Sequence, residues 1–260
     1  MLQVHTIASQ LSVNLEATID GLLSQTVPFE LRVVDMSESG SVGAKIKERA
    51  PSAAVLRAAR KWSFAEAHNK LLDWARDDKA VLLIESGVIL SDDCLEKMVK
   101  AMDEDKEAAL IGPKILRMYD ENADEERLHE RVMSDRLDGR GVPLRNVFVR
   151  ETGMGERDDG SAERVAVAAL RRGALLLRIA ALADIKKADR YFREKYEGAE
   201  EIDFAIRLNR AGWKTIRDDS AAAYKMSGVF SSRRNEKQPW SFLTQLALSA
   251  SAARGRAGFS

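Results

Sequence analysis

The sequence predicts an α/β fold with a mostly parallel central sheet and helices on both faces, and three observations predict it. Short apolar runs rich in β-branched residues alternate with segments of helical period through residues 2–102. Ala80–Ile84 is unbrokenly apolar, as a strand buried on both faces should be. Serine- and glycine-containing stretches follow the strand-like runs, where such a sheet places its loops.

In chain order, Leu2–Ala8 is the first predicted strand. Ser12 then precedes a helix in which Leu15, Ile19, Leu22 and Leu23 recur at helical spacing, ending near Gln25-Thr26. A second strand is predicted at 29–35, a loop at 37–43, a short helix to about Arg49 and a third strand at 53–57. Ser63-Phe64-Ala65-Glu66 is a capping box opening the next helix, with Leu71, Leu72 and Trp74 as its packing residues. After Ala80–Ile84, Ser91 is expected to cap a helix that turns Leu95, Met98, Val99 and Met102 inward. Residues 119–141 break the alternation, and 120–127 is a dense charge run read as a solvated loop or helix. Strands are predicted at 147–149 and 164–170, with a glycine- and acid-rich loop at 153–160 between them. The tail from Ser231 is polar and then, at 240–253, moderately amphipathic. It is expected to pack back on the domain, with a protein or membrane-surface contact as the alternative, and 254–260 are expected to be disordered. The division that follows is a main domain, 1–230, and a C-terminal extension, 231–260.

Composition narrows the function classes. The 41 Lys and Arg residues balance the 41 Asp and Glu residues, so charge gives no reason to expect nucleic acid or a membrane surface as partner. The single cysteine, Cys94, excludes an internal disulfide framework and a cysteine-rich zinc site. The N-terminus lacks the basic start and apolar run of a signal peptide, and no apolar stretch approaches the roughly 18 residues needed to span a bilayer. A soluble, cytoplasmic protein is expected. Gly40-Ser41-Val42-Gly43-Ala44-Lys45 resembles a phosphate loop but lacks the spacer before Gly-Lys-Ser/Thr. His5, His68 and His129 share no metal-binding helix spacing, and no nucleophile elbow exists. Cys94 follows Asp92-Asp93, acids that oppose a reactive thiolate.

Ligands of open α/β sheets bind beyond the carboxyl ends of the strands, which picks out Ala8-Ser9-Gln10, Asp35 with Met36, and Glu85-Ser86-Gly87. The stretch 198–213 is the other feature with chemistry in it. Glu200 and Glu201 open it, an apolar-rich helix follows, and Gly212-Trp213 closes it. Asp203, Arg207 and Arg210 share one stripe, with Asp203 and Arg207 an i,i+4 pair. Gly212 suits the left-handed residue that ends a helix. The helix dipole should favour ionised Glu200 and Glu201. On the residues alone, the acids are equally well read as caps on a core helix.

This segment resembles the Glu-Asp-x-Asp…Arg-x-x-x-Ala-Gly-Trp segment of family 2 glycosyltransferases, inverting enzymes of GT-A fold, and is most similar to their rhamnosyltransferase-like branch. The resemblance runs on through residues 4–26, Val33-Val34-Asp35, Phe64-Ala65-Glu66-Ala67-His68-Asn69, 81–99, Ile111-Gly112-Pro113-Lys114-Ile115 and Gly173-Ala174-Leu175-Leu176-Leu177-Arg178. It implies a nucleotide-diphosphate sugar as donor and a saccharide or lipid-linked acceptor, in cell-surface polysaccharide synthesis, at the inner face of the membrane. It also implies Glu201 and Glu200 as the catalytic pair, one of them the general base, and Gly173 and Asp203 on the acceptor side. Donor contacts would come from Ala8, Ser9, Gln10, Asp35, Glu85, Gly87, Arg172 and Lys225, with Trp62 at the border of the donor pocket.

The sequence departs from the family where a divalent metal, Mg or Mn, is usually held. The metal-binding Asp of the turn after the fourth strand is Gly87, leaving Glu85 as the sole weak candidate, and the later His is Lys225. Arg172 stands at the family's Ser before Gly-Ala. Two readings follow. In one, the protein is an inverting transferase that uses fixed cations in place of a metal. In the other, it is a catalytically inactive relative that binds nucleotides or scaffolds a partner.

Overall fold

In the computed structural model, residues 1–10, 13–75, 78–120, 131–144, 150–186 and 190–227 are described. The described chain runs β1 (Leu2–Ala8), α1 (Val13–Leu23), β2 (Glu30–Asp35), α2 (Ser41–Arg49), β3 (Ala54–Arg57), α3 (Phe64–Asp73), β4 (Ala80–Ile84), β5 (Val88–Leu90) and α4 (Cys94–Glu104). It continues through β6 (Ala108–Asp120), β7 (Arg131–Gly139), β8 (Arg164–Val167), β9 (Ala174–Arg178), α5 (Leu182–Ile185), α6 (Glu200–Arg210) and β10 (Lys214–Ser227). The expectations at 147–149, 121–127 and 231–260 lie outside the described residues.

One sheet collects the strands in the order β3-β2-β1-β4-β9-β6-β10-β5, with β7 beside β6 and β8 beside β10. The pairs β3/β2, β2/β1, β1/β4 and β6/β10 are parallel. β9 is inserted antiparallel between β4 and β6, and β5 runs antiparallel to β10. The expected mostly parallel sheet is present, and its antiparallel members matter most for the site. A parallel crossover delivers a strand's far end, whereas an antiparallel strand brings its beginning to the rim where its neighbours end.

Helices cover both faces, and β4 shows why. Its Ala80, Leu82 and Ile84 join a core with Leu15, Ile19 and Leu22 of α1, Ile46 of α2, and Leu95, Met98 and Met102 of α4. Its Val81 and Leu83 join the opposite core with Leu72 of α3, Leu182 of α5, and Ile202, Phe204, Ile206 and Leu208 of α6. Side chains alternate across a strand, so one unbroken apolar run feeds two cores. Each fully buried Leu or Met contributes about 1.5–3 kcal/mol of transfer free energy.

Local differences have local causes. Ser41–Gly43, expected in a loop, is the first turn of α2. Leu23 and Trp74 face solvent, so they are not packing residues. Ser63 does cap α3, accepting the Glu66 N–H at 3.1 Å, but the Glu66 carboxylate pairs with Arg60 at 2.7 Å, so only half the capping box forms. Ser91 does not cap α4 with its side chain; its hydroxyl donates to the Ala222 carbonyl at 2.9 Å. β8 ends at Val167, three residues short of the expected strand, with a single bridge farther on at Ala169. The register of β10 against β6 shifts between Asp218 and Ala222, where Asp218 Oδ1 accepts the Ser220 N–H and hydroxyl. That irregularity carries the end of β10 onto β5 and sets Lys225 opposite Val88.

Candidate active site

At the carboxyl end of β2, Asp35 Oδ1 accepts the N–H and hydroxyl of Ser37 at 2.8 and 2.6 Å, and Oδ2 accepts the Gly43 N–H at 2.9 Å. Burial raises its pKa, but Ser37, Gly43 and Arg57 outweigh that and hold it below the usual carboxylate value. A side chain at position 43 would meet Val55 at 2.8 Å and Asp35 at 3.0 Å, so glycine is what lets this amide approach. The expected donor contact Asp35 is therefore also the cap of its own loop and of α2. Ala8 is buried and accepts the Met36 N–H at 2.8 Å, while Ser9 and Gln10 are exposed beside it. Met36 takes the Trp62 N–H on its sulfur at 3.3 Å, and the Trp62 ring packs on the cluster of Val34, Ala58, Ala67 and Leu71.

Two strand spacings away, about 10 Å, the turn after β4 is clamped from both sides. Gly87 donates to the Thr18 hydroxyl of α1 and accepts the Met226 N–H of β10, both at 2.9 Å. Its φ of +93° is a left-handed conformation, strained for any other residue. The Glu85 N–H donates to the Gly173 carbonyl at 2.8 Å, which joins this turn to the residue before β9.

Here the charged groups converge. Lys225 Nζ lies 2.9 Å from Glu85 Oε2, 3.5 Å from the Arg172 carbonyl and 3.8 Å from Asp138. The Arg172 guanidinium reaches Glu200 at 3.2 Å, Glu201 at 3.4 Å and Glu85 at 3.7 Å, with its face 4.5 Å over the Phe64 ring. Glu200 and Glu201, in the first turn of α6, are 1% and 2% exposed, and Glu201 Oε2 accepts no hydrogen bond. A buried carboxylate oxygen that meets a guanidinium at 3.4 Å but accepts no hydrogen bond keeps capacity to accept a proton.

The helix dipole does not decide the ionisation of this pair, contrary to the sequence expectation. Burial raises the pKa of both, and for Glu201 the neighbouring Glu200 and Glu85 add to it against the pull of Arg172. Desolvation is the larger effect because α6 lies under the chain rather than at the surface.

Asp203 is fully buried. Its carboxylate receives the Arg193 guanidinium, with Nε at 2.8 Å, and Arg207 Nε at 3.0 Å, while Arg207 also donates to the carbonyls of Ile185 and Tyr191. This network ties Ile185, Tyr191 and Arg193 to α6 and hence braces the start of the helix that bears Glu200 and Glu201. Asp203→Ala would strand two largely buried guanidinium groups, and a loss of about 3–5 kcal/mol in urea unfolding is expected.

Sequence reasoning missed Phe64 as the platform for Arg172, and missed Asp138, Glu151 and Arg171. Arg171 pairs with Glu151 at 3.2 Å, and both line a small pocket with Asp138 and Arg172. Burial pushes the Glu151 carboxyl up to about 7, with Arg171 opposing and Asp138 reinforcing. A raised carboxyl pKa contributes stability below its unfolded value of about 4.5, lost as pH rises to the folded value. Unfolding free energy should therefore fall by about 3 kcal/mol across that window from this group, and Glu151→Gln should remove that share of the slope.

Neither of the described histidines, His5 and His68, bears a site. Burial lowers the pKa of His5, and that of His68 to about 3, so both are neutral core residues, while His129 lies outside the described residues. The Cys94 thiol is pushed up to about 12 by burial and then by Asp93. A divalent metal of the kind the resemblance implies does not fit the described residues. No three His, Cys, Asp or Glu side chains among them could hold one, Gly87 offers no side-chain ligand, and Glu85 already faces two cations.

Residues 11–175, more than half of the chain, match the family model described as glycosyl transferase family 2. No curated protein matches the sequence significantly. Among solved structures, the chain is similar to GalNAc-T7 with UDP, GalNAc and Mn2+, at a TM-score of 0.66 and 11% identity over 87% of this chain and 44% of that one. It is also similar to S. aureus TarS, at 0.57 and 16% over 87% and 36%, and to TarS 1-349 in complex with UDP, at 0.58 and 17% over 87% and 60%. The chain thus spans less than half the length of the first two. At these identities the likeness is one of fold, and the fold is GT-A.

Proposed function

The chain belongs to glycosyl transferase family 2, and on that premise we propose that it transfers a sugar, with inversion, from a nucleotide-diphosphate sugar to an acceptor hydroxyl, with Lys225 and Arg172 in place of a metal. The observation that carries this reading is the convergence of Glu85, Arg172, Lys225, Glu200 and Glu201 at the carboxyl rim of the sheet. Glu201 takes the proton of the acceptor hydroxyl. The freed oxygen attacks the anomeric carbon, and the bond from that carbon to the β-phosphate oxygen breaks, its electron pair leaving with the diphosphate. Arg172 and Lys225 offset the charge that builds there. The rim from Ala8 to Gln10 and Asp35 faces the nucleoside, Gly173 borders the acceptor, and Asp203 acts as a positioning residue beneath Glu200.

Residues 1–230 form the transferase unit in this reading, and 231–260 offer a contact to a protein or membrane surface. The resemblance of the 198–213 segment supports the rhamnosyltransferase-like branch, and membership of the family supports a saccharide or lipid-linked acceptor. No helix among the described residues is long and apolar enough to cross a membrane. One observation favours the alternative of an inactive, nucleotide-binding relative: Arg172 lies on the carboxylate that must accept the proton. A panel of nucleotide sugars assayed for turnover with excess chelator separates the readings. Turnover that survives the chelator is expected, nucleoside diphosphate binding without turnover would favour the inactive relative, and turnover abolished by the chelator would remove the fixed-cation mechanism.

A further inference from the structure

Under the donor reading, the Arg172 guanidinium has to meet a diphosphate, yet its ionic partners here are the acids Glu85, Glu200 and Glu201. One planar fork cannot give its N–H groups to both at full strength. Its surroundings suit a move between them. The Phe64 ring beneath it is held edge-on by His68, with ring centroids 4.4 Å apart, and by Phe192 at 5.3 Å. An aromatic face attracts the guanidinium without taking its N–H groups, so the fork can turn on it and keep the contact. The Arg172 side chain is 24% exposed, against 2% for each glutamate, so an arriving ligand reaches the arginine first. Arg172 also covers Glu201 without saturating it, since Glu201 Oε2 accepts no hydrogen bond.

We infer that Arg172 is a partner-switching residue: in the donor-free cleft its guanidinium covers Glu200 and Glu201, and the donor's diphosphate draws it away, so the base is uncovered only when the donor is in place. This rests on the donor reading. It makes binding ordered, with the donor first, and reconciles a covered carboxylate with a working base. Once the guanidinium has moved, Glu201 keeps the Arg172 backbone N–H on Oε1 at 3.4 Å and is left facing Glu200 from its own helix, Glu85 from the turn after β4 and Arg171 from the loop before β9. It then holds a proton more tightly than before.

Proton uptake on binding reads this directly. UDP, GDP and dTDP are titrated calorimetrically into the full chain at mildly acidic pH, in two buffers of different ionisation enthalpy. The wild type should take up a fraction of a proton more than Glu201→Gln, the nucleotide's own titration cancelling in the difference. Arg172→Gln, in which the acids are never covered, should lose the same excess and bind about tenfold more weakly; it carries the test should Glu201→Gln fail to fold. Binding with equal uptake in the wild type and the variants overturns the switch and leaves the donor reading standing. Absence of binding by all three nucleotides removes both.

Discussion

Glu201→Gln is expected to lower kcat by about 10²- to 10⁴-fold, the usual contribution of a positioned general base, while nucleoside diphosphate binding stays within a few-fold of the wild type. The substitution keeps the shape of a side chain that is 2% exposed and removes its capacity to take a proton together with its charge toward Arg172. Burial first, and then Glu200 and Glu85, raise the pKa of this carboxyl above its ordinary value against Arg172. A base acts when deprotonated, so kcat should rise with pH through that raised value, and the variant should lose this limb of the profile. Steady-state kinetics across mildly acidic to neutral pH check both statements. A loss below about tenfold, or a rising limb that survives in the variant, would show that another group takes the proton.

Lys225→Met should cost about 10²- to 10³-fold in kcat, the scale seen when one preorganised electrostatic contact to a developing charge is deleted. The loss has two parts. One cation facing the leaving diphosphate disappears, and Glu85 loses the nearer of its two cationic partners, Lys225 Nζ at 2.9 Å, and keeps only Arg172 at 3.7 Å. Pairing Lys225→Met with Glu85→Gln separates them: the double variant should recover part of the loss, because the repelling acid has gone, but not the share that belonged to the ammonium. The wild type should work unchanged in excess chelator. If Lys225→Met is neutral, or divalent ions restore its rate, the fixed-cation account is wrong.

The elements of the first hundred residues were largely legible because their signals are local, whereas β5, β6, β7, β9 and β10 were not predicted as strands. Periodicity located β1, β4 and α6 closely, and Gly212, with φ of +93°, ends α6 as its position suggested. Where the reading slipped, a contact distant in sequence had decided. Ser91 turned its hydroxyl to Ala222 of β10 rather than to its own helix, and Trp74 pointed to solvent although its spacing from Leu71 looked suitable for packing. The candidate site was legible only as a set of positions. Glu85, Arg172, Lys225 and the Glu200–Glu201 pair stood out by type, and the departures at Gly87 and Lys225 were visible by comparison with the family pattern. Phe64, Asp138, Glu151 and Arg171 carried no local mark, since their part in the cleft depends on which strands lie side by side.

By itself, the sequence determined the alternation of strands and helices from β1 to β4 with α4 and α6, that both faces of the sheet are covered, and that Asp35 and Glu85 stand at its carboxyl rim, while β5, β6, β7, β9 and β10 were not predicted. Only the tertiary structure decided that β9 enters antiparallel between β4 and β6, that Lys225 meets Glu85, and that Arg172 lies on Glu200 and Glu201. It also set the direction of the acid pair's pKa shift, upward by burial, against the expected pull of the helix dipole. The helix dipole is a property of the segment, but desolvation belongs to everything packed around it, and for a carboxylate under a folded chain desolvation is the stronger of the two.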